Sequence, residues 1–191
     1  MKEAGLQIWS QAEVRATKGE EWQGWLDALM EELDSIKTAG VYQTISKSQV
    51  AKLEKKADVL PSKIVWATKP LPQGVATGPR RKKARIVCCG NFQKQRQQEV
   101  YTSLMDATSL RLLIKLAAQR RWSLGKLDIK TAFLNAPLHN DTVVVRPPPL
   151  AILLGLAEAG ELWLLLRALY GLRVAPKAWE EERDKQLREA T

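Results

Sequence analysis

The sequence predicts an α+β fold in which helices pack against a mixed or antiparallel sheet. Two long segments, residues 20–37 and 107–122, carry apolar residues at helical spacing. Shorter β-branched or apolar runs lie between and after these segments and are bounded by proline or glycine. A chain of 191 residues is long enough for one ordinary domain or two small ones.

Three segments are predicted as helices. Acidic residues open the first helix at 20–37, where negative charge favours a helix N-terminus. In the second, at 107–122, apolar residues at 110, 113, 114, 117 and 118 predict a buried face. Pro176 suits the first turn of a third helix, which is rich in opposite charges.

Short segments between the helices are predicted as strands, at 63–68, 84–89, 123–128, 142–146 and 161–166. The first two are expected to form a hairpin with a basic tip. A short alternating stretch at 41–45 precedes the lysine-rich residues 47–56, which suggest a loop or a frayed helix.

The charge balance favours an acidic partner. Thirty Lys and Arg against 21 Asp and Glu leave a net charge of +9, which is typical of proteins that contact nucleic acid. The first thirty residues lack an apolar signal core, and the apolar run at 150–157 is too short to span a bilayer. We therefore expect a cytoplasmic or nuclear protein with no membrane partner.

The segment RRKKAR, residues 80–85, contains five cations in six positions. Such a run is consistent with a solvated loop or a localisation signal. It also leads directly into the apolar run IVCC, so that alternate cations would project from a strand. A hairpin that holds several cations together is suited to binding phosphates.

Asp128 lies in the stretch KLDIKTAFLNAPL, residues 126–138, at the end of an apolar run. An aspartate there can cap the following turn through backbone N–H groups. It can also supply one of the carboxylates that hold Mg²⁺ beside substrate phosphates, and two-metal phosphoryl transfer needs further acids. Phe133, five residues later, has core packing as its default role.

Several segments, in this order, resemble the reverse transcriptase of copia-type LTR retrotransposons. They are VYTSLMDATSL through LNAPL at 100–138, VVVRPP at 143–148 and LWLLLRALYGLRVAPKAW at 162–179. Upstream, RRKKARIVCCGNF resembles the finger segment of that family, and residues 20–36 resemble its opening helix. The likeness extends from Trp22 to Glu182.

The resemblance implies polymerase-like fingers and a partial palm. It divides the chain into an N-terminal extension at 1–19, a fingers-like subdomain at 20–105 and a partial palm at 106–191, truncated before the Tyr-x-Asp-Asp hairpin. The family has Gln where this chain has Val174, and the sequence contains no Asp-Asp pair. We therefore expect a fragment whose catalytic carboxylates are incomplete.

The resemblance also implies roles for individual residues. Asp128 matches the first catalytic carboxylate, a ligand of the Mg²⁺ ions, and Ile129 would lend its carbonyl to the metal. The backbone N–H groups of Lys130, Thr131 and Ala132 match the turn that meets the triphosphate. Phe133 matches the aromatic residue under the sugar that excludes a 2′-hydroxyl.

Further roles concern the fingers and the segment near residue 170. Arg85, and after it Lys83, match the cations that reach the triphosphate, and Gly171 matches a close backbone approach near template and nucleotide. The intact enzyme would use Mg²⁺, a deoxynucleoside triphosphate, an RNA or DNA template-primer and the rest of the polyprotein. Two alternatives are a non-catalytic basic module that binds nucleic acid and a decayed structural remnant.

Overall fold

The computed structural model describes residues 6–53, 57–70, 78–94, 102, 105–139 and 142–189. In these ranges it contains both helices and strands, which confirms the α+β class. The elements are β1 (Gln7–Trp9), α1 (Gln11–Ala16), α2 (Gly19–Thr38), β2 (Tyr42–Ile45), α3 (Lys47–Ala51), β3 (Asp58–Leu60), β4 (Ser62–Thr68), β5 (Lys82–Cys88), α4 (Ala107–Arg120), β6 (Val143–Val145), α5 (Pro149–Leu153), β7 (Leu162–Leu165) and α6 (Ala175–Glu189). Two short 3₁₀ helices cover Gly90–Phe92 and Ala132–Asn135.

A three-stranded antiparallel sheet in the order β1-β4-β5 carries the predicted hairpin. Strands β4 and β5 pair from Ser62 with Cys88 to Thr68 with Lys82, which confirms the hairpin. Its connection at 71–77 lies outside the described residues. Helix α2 packs on this sheet because its apolar residues fall on one face, where Trp25 and Leu29 are fully buried.

The second sheet is four-stranded and mixed, with the strand order β2-β7-β6-β3. Strands β3 and β6 pair in parallel, whereas β2–β7 and β6–β7 are antiparallel. The strands come from both sides of the predicted boundary at residue 105, and the predicted N-terminal extension contains β1 and α1. The division into extension, fingers and palm therefore stays a prediction.

Two sequence predictions about the region before Asp128 are wrong. The strand predicted at 123–128 is absent, since residues 122–129 have no regular secondary structure and are exposed. Helix α4 forms, but only Ala117 of its predicted buried face is buried, whereas Leu110, Leu113 and Ile114 are 41–49% exposed. Periodicity identifies an apolar face but not the element that covers it, and a strand needs a partner for its backbone groups. No described helix is long and apolar enough to cross a bilayer.

Candidate nucleotide-binding cleft

A cleft of about 620 Å³ lies between helix α2, strand β5 and the segment that follows Asp128. Almost all of the predicted site residues line this cleft, although those of strand β5 and those of the segment at 128–133 are far apart in the sequence. Those that line it are Lys83, Arg85, Asp128, Ile129, Lys130, Thr131, Ala132 and Phe133. The remaining one, Gly171, follows the cleft residue Tyr170 but is not part of the lining.

Strand β5 supplies the cationic wall of the cleft. Lys83 and Arg85 are two residues apart in the strand, so their side chains leave it on the same side. Partial burial lowers the pKa of Lys83, and the nearby positive charges of Arg85 and Lys69 lower it further. An anion bound at this wall would relieve that repulsion.

Arg85 and Phe133 both contact the ring of one aromatic residue, Tyr170. The Arg85 guanidinium carbon lies 5.3 Å from the centroid of the Tyr170 ring, within the range of a cation–π contact. Phe133 packs edge-on to the same ring, with centroids 5.9 Å apart and planes at 70°. Tyr170 therefore joins the cationic wall to the segment that carries Asp128.

The turn after Asp128 has an unusual backbone. Thr131 adopts a left-handed conformation with φ of 51°, which is rare for a β-branched residue. It precedes the 3₁₀ helix, and its carbonyl accepts the N–H of Leu134 at 2.8 Å. Because Leu134 is fully buried, the core anchors a turn whose residues Lys130 and Thr131 are exposed. Strain of this kind is often found at functional sites.

Gly171 contacts the end of strand β5. Its φ is +85°, and a Cβ there would lie 2.1 Å from the Cys88 carbonyl oxygen and 2.6 Å from Val87 Cγ1. Beside it, the Cys88 N–H donates to the Tyr170 carbonyl at 2.7 Å. Glycine is thus required for this segment to dock on the strand. The predicted approach of Gly171 to template and nucleotide stays a prediction.

Glu32 is a cleft residue that the sequence reasoning missed. It is only 8% exposed, and its Oε1 accepts the backbone N–H of Ile86 at 3.2 Å. Burial raises the pKa of its carboxyl group above the ordinary value, against the lowering effects of the Ile86 hydrogen bond and of Lys83 and Arg85. The sequence signal that could have identified Glu32 is an acidic residue within the apolar stripe of helix α2.

Asp128 is exposed at the cleft, where its carboxylate is accessible to a cation. The described residues contain no group of three or more His, Cys, Asp or Glu that could hold a metal ion. A single aspartate fits one ligand position of a divalent ion, which commonly keeps water and phosphate oxygens as its other ligands.

A family model described as "Reverse transcriptase (RNA-dependent DNA polymerase)" matches residues 46–191. The chain belongs to the reverse transcriptase family. Members of this family generally use a divalent metal ion.

Similar proteins place this reverse transcriptase region among retrotransposon polyproteins. This chain is 28% identical over 171 residues to the retrovirus-related Pol polyprotein from transposon TNT 1-94 of Nicotiana tabacum. The aligned region covers 87% of this chain and 12% of that protein. The Pol polyproteins from transposons RE1 and RE2 of Arabidopsis thaliana are 33% identical over 104 residues and 31% over 107, each covering 53% of this chain and 7% of the relative.

These matches confirm the resemblance to copia-type reverse transcriptases. The chain spans only 7 to 12% of the length of the relatives named. No solved structure shows a significant match to it.

Proposed function

We propose that the cleft binds the triphosphate of an incoming deoxynucleotide, with Mg²⁺, in an RNA-directed DNA polymerase. The observation that carries this proposal is that the cations of β5 and the segment from Asp128 to Phe133 line one cleft. Phosphoryl transfer depends mainly on positioning and charge neutralisation, which cations and a metal-binding carboxylate on facing walls would provide.

Each wall has a distinct task in this proposal. Arg85 and Lys83 bind the triphosphate oxygens through charge-assisted hydrogen bonds, while the amides of residues 130–132 meet the same oxygens. Asp128 and the carbonyl of Ile129 hold Mg²⁺, which neutralises phosphate charge when it is bound. Phe133, fixed against Tyr170, lies under the sugar and disfavours a 2′-hydroxyl.

The proposed partners are an RNA or DNA template-primer and the rest of a Pol polyprotein. The net charge of +9 supports the first, and the much longer relatives support the second. Fingers at 20–105 and a partial palm at 106–191 belong to the same proposal. Because this sequence has no Asp-Asp pair, we propose that the chain alone does not extend a primer. Robust magnesium-dependent extension on a primed RNA template would contradict this.

Binding of dATP with Mg²⁺, measured by calorimetry, tests the proposal. Loss of one charge-assisted hydrogen bond costs about 1.5 kcal/mol, so Arg85→Ala and Lys83→Ala should each weaken binding about tenfold. Lys63→Ala is the matched control, because Lys63 is an exposed cation of the same hairpin that does not line the cleft. Asp128→Asn should remove the dependence on Mg²⁺. Equal effects of the Arg85 and Lys63 variants would contradict the proposal.

A non-catalytic nucleic-acid-binding module is the second candidate. It is favoured by the further cations that line the cleft, among them Lys69 and the exposed Arg81. Under this reading, duplex binding falls steeply with salt, and Asp128→Asn leaves it unchanged or slightly tighter. The exposed apolar residues of α4 favour a third reading, a structural remnant, for which self-association and a broad thermal transition are expected.

A further inference from the structure

Glu32 connects helix α2 to the strand that carries the cationic wall. Strand β5 is an edge strand of its sheet, so its outward N–H groups find no strand partner on that side. The Glu32 carboxylate accepts one of these groups, the N–H of Ile86, at 3.2 Å. A buried carboxylate next to a phosphate-binding wall is unexpected, because its charge opposes an anionic ligand.

The charges around Glu32 come from every wall of the cleft. Lys83 and Arg85 on β5 attract its carboxylate, whereas the neighbouring Glu31 on α2 repels it. Tyr170 faces it from the segment after β7, and burial and Glu32 together raise the pKa of that phenol. The other charged residues that line the cleft are Lys69, Arg81, Lys82, Asp128 and Lys130.

We propose that Glu32 is a positioning residue that acts as the counter-ion of Lys83 and Arg85 in the ligand-free chain and takes up a proton when a triphosphate binds. The inference rests on the proposed function of the cleft. A bound triphosphate shares the same two cations and repels the carboxylate, so the charged form of Glu32 loses the attraction of Lys83 and Arg85 and keeps only the hydrogen bond from Ile86.

Proton uptake couples affinity to pH. A proton from solvent converts the Glu32 carboxylate to the carboxylic acid, and the second oxygen still accepts the Ile86 N–H. Because the complex holds more protons than the free chain, triphosphate affinity rises as pH falls. The raised pKa of Glu32 in the free chain brings this uptake closer to neutral pH.

The experiment compares inorganic triphosphate binding by the wild-type chain, Glu32→Gln and Asp34→Asn between pH 5.5 and 8. Glutamine keeps an acceptor for Ile86 and removes the charge. Asp34→Asn makes the same charge change on the same helix, at an exposed position outside the cleft lining. Titration of the triphosphate itself cancels in the ratio of variant to wild-type affinity.

The expected ratio of Glu32→Gln affinity to wild-type affinity is about ten at pH 8, or about 1.4 kcal/mol, and decreases as the pH is lowered. For Asp34→Asn the ratio stays near one throughout. A Glu32→Gln ratio that matches the Asp34→Asn ratio at every pH, or that lies below one, overturns the inference. If Lys83→Ala binds inorganic triphosphate as tightly as the wild type, the proposed function of the cleft is overturned instead. Absence of binding to both wild type and Glu32→Gln overturns both proposals.

A second measurement uses the wild-type chain alone. The ¹³C shift of the Glu32 carboxyl is titrated by NMR with and without saturating inorganic triphosphate. The expected result is an apparent pKa that rises by about one unit with the ligand, equivalent to a tenfold coupling. An unchanged pKa overturns the inference even if Glu32→Gln does not fold.

Discussion

Substitution of Gly171 by alanine tests how the two walls of the cleft are held together. The Cβ would lie 2.1 Å from the carbonyl oxygen of Cys88, whereas ordinary contacts begin at about 3.4 Å. The chain must therefore open by about 1 Å at this point. That displacement would break the hydrogen bond from the Cys88 N–H to the Tyr170 carbonyl, which is 2.7 Å long.

The size of the effect follows from two contributions. A left-handed backbone conformation costs a non-glycine residue about 1–2 kcal/mol. Loss of the Cys88 hydrogen bond leaves a buried polar group unsatisfied, at about 1–3 kcal/mol. We expect Gly171→Ala to lower the free energy of unfolding by about 2–5 kcal/mol. Displacement of Tyr170 should also weaken dATP binding, since Arg85 and Phe133 both contact its ring.

Gly160→Ala is the matched control for this prediction. Gly160 has nearly the same φ, +84°, but a Cβ there meets nothing within 4 Å. Gly160→Ala should lower the free energy of unfolding only by the conformational cost of about 1–2 kcal/mol. Urea unfolding at constant m-value measures both variants. If the two variants lose the same free energy of unfolding, glycine is needed at position 171 only for its backbone conformation, and the close contact with β5 does not contribute to stability.

Three further predictions concern stability, surface and reactivity. Ser62→Ala should lower the unfolding free energy by about 1 kcal/mol in urea, because the hydroxyl of this buried residue donates to a backbone carbonyl at 2.6 Å; an unchanged midpoint would contradict this. The double change Leu113→Ser and Ile114→Ser should reduce self-association, measured by sedimentation, without lowering the melting temperature, because the two residues are 41% and 49% exposed. A large fall in the melting temperature would instead show that this face of α4 is packed. At pH 8, iodoacetamide should label the partly exposed Cys89 and spare Cys88, because burial raises the pKa of the Cys88 thiol to about 12. Equal labelling of the two cysteines in a mass spectrum would disprove this prediction.

Local patterns predicted helix α2 and the β4–β5 hairpin well because their signals are contained within the segments. Apolar residues every three or four positions define the buried face of α2, and apolar runs bounded by proline and glycine define the two strands. Residues 123–128 have the composition of a strand, but a strand forms only beside a partner, and none of the described strands pairs with them. Composition does not carry that information.

The candidate site was only partly accessible to sequence reasoning. That Asp128 and Arg85 belong to one site came from family resemblance, because no local rule brings distant segments together. Glu32 was missed because its partner is the backbone amide of Ile86, which has no side-chain signature in the sequence. The docking of Gly171 on β5 likewise depends on tertiary contacts.

The central claim is that one triphosphate and its metal ion lie between strand β5 and the turn after Asp128. Paramagnetic broadening by Mn²⁺ with dATP, measured on the amide signals of the wild-type chain, tests it most directly. We predict broadening at 83–85 and at 128–133 together in the wild-type chain, and weaker broadening at 128–133 in Asp128→Asn. Broadening of the wild-type chain that spares either segment would contradict the claim.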